Sequence, residues 1–168
     1  MDKRHIVLIG MPASGKSTAG VIAAKILGYD FVDTDLLIQR RTGKLLSEII
    51  EERGVDGFLE VENEAGRDVN PELRSVIATG GSMVYNEEAM KHLSDIGTVI
   101  YLETSYDELT RRLSDIRQRG VVVKEGQTFG ELFRERTVLY EKYADHTVNE
   151  DGKDTEGVVK EIVDILSE

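Results

Sequence analysis

The sequence predicts an α/β fold, a parallel sheet of five strands with helices on both faces. Five short apolar runs rich in β-branched residues have the length and continuity of strands buried on both sides. Longer segments with 3.6-residue periodicity separate them, and this alternation implies right-handed crossovers that lay helices over a parallel sheet. A chain of 168 residues, 40% hydrophobic and with 2 Pro, is long enough for one domain with its own core and unlike a disordered segment.

His5 to Ile9 opens the sheet. Lys16 to Leu27 follows as a helix, with Gly28 placed to cap its C-terminus. Asp30 to Val32 is the second strand. Leu36 to Val69 then breaks the alternation and reads as a run of small helices, the place for a substrate-binding insertion. Ser75 to Ala78, Thr98 to Leu102 and His146 to Val148 complete the strands. Glu87 to Leu93, Ser105 to Leu113, Phe129 to Tyr143 and Thr155 to Leu166 supply the remaining helices. Asp115 to Gln127 is polar, carries Arg117, Arg119 and two glycines, and reads either as a mobile lid or as a surface loop. With no repeat or linker, residues 1–168 are expected to form a single domain with an insertion at about 34–69 and a lid at about 115–127.

The charge balance excludes several functions. Lys and Arg number 21 against 32 Asp and Glu, a net charge of −11. Such a surface repels phosphate backbones, so nucleic acid is not an expected partner. No apolar run approaches the ~20 residues that span a bilayer. Cysteine is absent, which removes disulfides, thiolate metal sites and a cysteine nucleophile. His5, His92 and His146 show no i, i+4 pairing and read as isolated surface residues. Ile6 to Ile9, after Met1 to His5, is too short for a signal-peptide core, and the expected location is the cytoplasm.

The strongest chemical signal is Gly10-Met11-Pro12-Ala13-Ser14-Gly15-Lys16-Ser17. It satisfies G-x-x-x-x-G-K-[ST] and sits between a predicted strand and a predicted helix, as a phosphate-binding loop must. Phosphate oxygens need many close donors, which the curled backbone and the positive end of the helix provide. The nucleotide-binding set is Gly10, Ala13, Ser14, Gly15, Lys16, Ser17 and Thr18. Lys16 is expected to reach the β- and γ-phosphates, and Ser17 to hold Mg²⁺.

Further candidates cluster at the carboxyl ends of the predicted strands, where open α/β sheets bind ligands. Asp33 and Asp35 follow the second strand at i, i+2 and share one side of an extended segment. Phosphoryl transfer uses one carboxylate for the metal and one for the attacking hydroxyl, which suits Asp33 and Asp35 respectively; the competing role for Asp35 is a helix N-cap. Thr79-Gly80-Gly81-Ser82 follows the third strand as a turn whose backbone N–H groups face the acceptor. Arg134 and Arg136 fall on different faces of their helix, so at most one points inward.

Together the phosphate loop, Phe31-Val32-Asp33-Thr34-Asp35, Thr79-Gly80-Gly81 and Arg136-Thr137-Val138-Leu139-Tyr140 resemble the shikimate kinase family over nearly the whole chain. The resemblance implies a three-layer P-loop NTPase fold like that of nucleoside monophosphate kinases, with sheet order 2-3-1-4-5. It implies ATP-dependent phosphorylation of the 3-hydroxyl of shikimate, within aromatic amino acid biosynthesis; a monomer is the expected state. Carried over by position, Lys16 stabilises the transferring phosphoryl group, Ser17 and Asp33 serve Mg²⁺, and Asp35 binds and activates the acceptor hydroxyl. Gly80 and Gly81 contact the acceptor ring, Arg136 pairs with its carboxylate, and Arg119 closes over the phosphates.

Three departures concern the acceptor. The family's Phe-Arg-x-x-Glu is Phe58-Leu59-Glu60-Val61-Glu62 here, so a carboxylate-binding arginine is replaced by leucine, with Arg67 as a candidate substitute. Its Gly-Gly-Gly is Gly80-Gly81-Ser82, and its Arg-Pro-Leu-Leu lid is Arg119-Gly120-Val121-Val122. These keep two alternatives open: a kinase of the same fold for another polyol, sugar acid or hydroxy amino acid, and a non-catalytic nucleotide-binding regulatory module.

Overall fold

The computed structural model describes residues 3–113 and 121–167. The strands are β1 (His5–Ile9), β2 (Asp30–Asp33), β3 (Ser75–Ala78), β4 (Gly97–Glu103) and β5 (His146–Asn149). They pair in parallel in the order β2-β3-β1-β4-β5, the order that the resemblance implied. The helices are α1 (Lys16–Leu27), α2 (Thr34–Thr42), α3 (Leu46–Arg67), α4 (Glu87–Ile96), α5 (Tyr106–Arg112), α6 (Phe129–Tyr143) and α7 (Thr155–Ile165).

Period-two alternation in β1 divides the core. Ile6 and Leu8 point to one face, packed with Ala19, Ala23 and Ala24 of α1 and Val158, Val159 and Ile162 of α7. Val7 and Ile9 point to the other, where Ala89, Met90 and Leu93 of α4 and Leu132 and Tyr140 of α6 cover them. Both faces of the central strand are therefore apolar, as a doubly covered parallel sheet requires.

The run from Leu36 to Val69 is helical as expected, and α3 is broken in the middle. Gly54, at φ 71° and ψ −178°, interrupts the helical backbone and turns the second half of α3 in a new direction. A third cluster forms here from Ile38, Ile49, Phe58, Ala65 and Val122. Val122 belongs to the stretch expected to be a mobile lid, yet it is buried among the α2 and α3 side chains. Residues 121–123 of that stretch thus pack as a wall: Val122 is buried with the insertion, and Val121 and Val123 lie partly buried against the cluster under α4 and α6. Arg117 and Arg119 lie outside the described residues.

Other expectations need correction. Asp33 and Asp35 do not share an extended segment, since α2 begins at Thr34 and places Asp35 in its first turn. The N-cap is Asp33, whose Oδ1 accepts the N–H groups of Asp35 at 2.9 Å and Leu36 at 3.2 Å. His5 is buried in β1 rather than on the surface, and its Nδ1 accepts the Ser75 N–H at 3.2 Å. Met83–Tyr85 forms a 3₁₀ turn that the sequence pattern did not reveal. Among the described residues no helix is long and apolar enough to cross a membrane.

Candidate active site

The loop between β1 and α1 is shaped by its glycines. Gly10 has φ 151°, and a Cβ there would lie 2.7 Å from the Leu102 carbonyl oxygen. Gly15 has φ 81°, and Ala13 takes the left-handed region at φ 65°, so the loop reverses tightly over the start of α1. Lys16 is 7% exposed, and its Nζ donates to the carbonyls of Gly10 and Met11, each at 2.8 Å, and to Ser14 Oγ at 3.3 Å. Burial lowers its pKa to about 8, against the raising influence of Asp35 and Glu150. The ammonium remains mostly charged at neutral pH.

Ser17 Oγ donates to Asp33 Oδ2 at 2.7 Å. A hydroxyl and a carboxylate side by side are hard oxygen donors that suit Mg²⁺, an ion that takes few protein ligands and completes its shell with water and phosphate. The residues present fit that ion.

Asp35 sits in the first turn of α2, two residues after Asp33, and its Oδ1 is buried with no hydrogen-bond partner. Burial, reinforced by the charge of Asp33 and opposed by Lys16, pushes its pKa up to about 6. Thr34, fully buried, accepts the Gly80 N–H at 3.1 Å and so ties the β3 turn to α2. That N–H is therefore committed to Thr34, although the expectation had it facing the acceptor. Gly80 and Gly81 keep the space: a Cβ on Gly80 would meet Asp35 Oδ1 at 2.6 Å, and one on Gly81 would meet Arg136 Nη1 at 2.9 Å.

Of the two arginines on α6, Arg134 is exposed and Arg136 is buried at 1% exposure. Arg136 Nη2 donates to the Val122 carbonyl at 2.6 Å, its guanidinium lies 5.4 Å from the Tyr85 ring centroid, and its Nε has no partner. Tyr140 fixes the adjacent turn by donating to the Gly81 carbonyl at 2.7 Å.

These groups surround one cavity of about 270 Å³. Lys16, Asp35, Glu62, Ser82 and Arg136 form its polar side, and Leu46, Phe58, Val121 and Val122 its apolar side. A second cavity, about 330 Å³, lies against Ser14, Gly15, Thr18, Arg112, Glu150 and Lys153. Gly15 and Thr18 border both, so the phosphate loop is the wall the two spaces share.

Sequence reasoning missed Glu62, Arg112 and Glu150. Glu62 accepts from Ser82 Oγ and Asn86 Nδ2, and burial pushes its pKa up to about 8, with Asp35 adding to the shift while Ser82, Arg136 and Asn86 oppose it. Arg112 Nη1 donates to the Ala13 carbonyl at 3.1 Å and lies 3.7 Å from Glu150 Oε2. Thr104 also donates to Glu150, whose pKa burial raises. A lone arginine in a helix gives no periodic signal, and Glu150 opens the polar run that ends at Asp154. Leu59 is half-buried and does not line the acceptor cavity. Arg67 does not replace the missing arginine: it is exposed and pairs with Glu88 at 3.2 Å.

A parallel sheet in this order, with a phosphate loop between two cavities and a carboxylate facing one of them, defines a P-loop small-molecule kinase. The shikimate kinase family model matches residues 12–167. Shikimate kinase from Thermodesulfovibrio yellowstonii is 37% identical over 162 residues, covering 95% of this chain and 93% of that protein. The structure of shikimate kinase from Acinetobacter baumannii in complex with shikimate superposes with a TM-score of 0.88 at 27% identity, over 97% of this chain and 92% of that one. That of shikimate kinase from Aquifex aeolicus gives 0.78 at 32% identity, over 97% and 96%. The chain belongs to the shikimate kinase family.

Proposed function

We propose that this chain transfers the γ-phosphoryl group of ATP to the 3-hydroxyl of shikimate. The observation that carries the reading is the shared wall. A nucleotide whose base and ribose fill the cavity beside Arg112 and whose phosphates cross the loop presents its γ-phosphate to the cavity that holds Asp35. The acceptor oxygen forms a bond to the γ-phosphorus as the bond to the β,γ-bridging oxygen breaks. ADP leaves, and the hydroxyl proton passes to the Asp35 carboxylate, whose pKa of about 6 suits a base that works near neutral pH.

Gly10, Ala13, Ser14, Gly15 and Thr18 cradle the phosphates, and Lys16 offsets the charge that develops on them. Ser17 and Asp33 hold Mg²⁺, which when bound neutralises phosphate charge. Gly80 and Gly81 leave room for the acceptor ring, and Arg136 pairs with its carboxylate. Arg119 closes over the phosphates from the lid at about 115–127, and the segment at about 34–69 forms the acceptor-binding part of a single domain. The enzyme acts as a cytoplasmic monomer on small molecules, without nucleic acid or membrane.

A second reading, a different hydroxylated acceptor such as a polyol, sugar acid or hydroxy amino acid, is favoured by one observation. Among the described residues Arg136 is the only arginine lining the acceptor cavity, and two carboxylates, Asp35 and Glu62, line it with it. Coupled ADP release with Mg·ATP and shikimate, run beside Leu59→Arg, separates the two. Efficient turnover by the parent supports shikimate. Turnover only in Leu59→Arg supports the second reading, and ATP hydrolysis that no acceptor stimulates in either protein supports a regulatory module.

A further inference from the structure

Of the sequence departures at the acceptor, Ser82 bonds directly to Glu62. Glu62 lies three residues after Leu59, on the same face of α3, and is 0% exposed. Ser82 Oγ donates to its carboxylate, 2.8 Å from Oε1 and 2.9 Å from Oε2, and Asn86 Nδ2 donates to Oε1 at 3.0 Å. Arg136 is buried beside the same cavity. It donates to the Val122 carbonyl, the Tyr85 and Tyr140 hydroxyls also face it, and its Nε is unpartnered.

A buried carboxylate and a buried guanidinium facing one small space attract strongly, and pairing relieves part of the burial penalty of both. Glu62 and Arg136 straddle consecutive residues: Glu62 Oε2 is 2.8 Å from where a Gly80 Cβ would lie, and Arg136 Nη1 is 2.9 Å from the Gly81 position. Yet among the described residues they form no ion pair. The hydrogen bonds from Ser82 and Asn86 hold the carboxylate on the far side of the turn.

We infer that Ser82 is a positioning residue for acceptor binding: its hydroxyl holds Glu62 away from Arg136 and so leaves the guanidinium free for an anionic group of the acceptor. The inference rests on the reading of Arg136 as the partner of the acceptor carboxylate. Burial keeps the Glu62 carboxyl largely protonated at neutral pH, against the lowering influence of Ser82, Arg136 and Asn86. Removing the hydroxyl leaves Asn86 as the sole donor to Glu62, and the released carboxyl turns toward Arg136, gives up its proton as it pairs there and competes with the acceptor.

Ser82→Ala tests this. The KM for shikimate is expected to rise on the order of tenfold, the value of one charged hydrogen bond, with kcat within about twofold. Ser82→Ala combined with Glu62→Gln should bring KM back to within about threefold of the parent, because a neutral amide competes poorly for a guanidinium. A direct contact between Ser82 and the acceptor predicts a KM that stays high in the double variant, and a packing role predicts lower thermal stability with KM unchanged. Either result overturns the inference. If the parent does not phosphorylate shikimate, the proposed acceptor is wrong, and a crystal structure of Ser82→Ala still decides this point. The inference stands if a Glu62 oxygen moves to within about 4 Å of an Arg136 nitrogen, and falls if Glu62 stays on Asn86.

Discussion

The donor and acceptor sides of the active site are built in opposite ways. On the donor side the phosphate cradle is contiguous: Gly10 to Thr18 form the loop and first turn of α1, and their own backbone makes it, with Arg112, Glu150 and Lys153 lining only the cavity beside it. The acceptor side is gathered from α2, α3, the turn after β3, the segment at 121–122 and α6, residues up to about a hundred positions apart. A contiguous cradle works through main-chain geometry and tolerates side-chain drift around it. A gathered wall depends on side chains, so a single substitution such as Ser82 can change what it accepts while the phosphate chemistry stays intact.

The comparison is broken most sharply at the two residues where the sides meet. Lys16→Ala should lower kcat by about 10³-fold, since it removes the cation aimed at the transferring group. The fold should persist, because the ammonium already carries a burial penalty, visible in its lowered pKa. Asp35→Asn should lower kcat by about 10²-fold or more while the KM for ATP changes less than about threefold. The parent's kcat/KM for the acceptor should fall as pH drops through about 6, where Asp35 becomes protonated, and the variant should lack that limb. Equal losses in ATP and acceptor binding for Asp35→Asn would erase the division between the sides.

The same division explains what the sequence made legible. The strand order followed from the family pattern, and the five strand cores and the cap at Gly28 followed from local rules, since each depends on neighbouring residues. The loop motif was readable for the same reason. Helix geometry left Arg136 as one of two and the family resemblance picked it out; burial sets it apart from the exposed Arg134. Glu62 was legible only as the last residue of a family segment, with no role attached: it is one of 32 acidic residues in an acidic chain, and its bonding partners lie 20 and 24 positions away, beyond a helix broken at Gly54. The packing of Val122 against Phe58 escaped too, because periodicity says nothing about which remote surface an apolar loop will meet.

Arg112 tests whether the donor side is as self-contained as its motif suggests. Its bond to the Ala13 carbonyl supports the left-handed turn of the loop from α5. Arg112→Met should raise the KM for ATP about tenfold while moving the KM for the acceptor less than about twofold. A matching rise in both would mean that α5 orders the whole site and that the loop does not shape itself.

The smallest effect concerns stability and isolates the acceptor wall. The Glu62 carboxyl has a pKa near 8 in the folded chain against an ordinary 4.5. Below pH 4.5 it is protonated in both the folded and unfolded states and contributes no pH dependence. Between 4.5 and 8 the folded state retains a proton that the unfolded chain has released, so stability falls as pH rises, and above 8 the penalty is constant. Asp35 adds a slope of the same sign, confined to the range from 3.8 to about 6. Glu62→Gln removes the first slope and leaves the second. From pH 6.5 to 7.5 the parent's melting temperature should therefore fall roughly 2–4 °C more than that of the variant. Parallel curves over that interval would mean that Glu62 is ionised in the folded protein, and the acceptor wall would then carry one more negative charge than the burial of Glu62 implies.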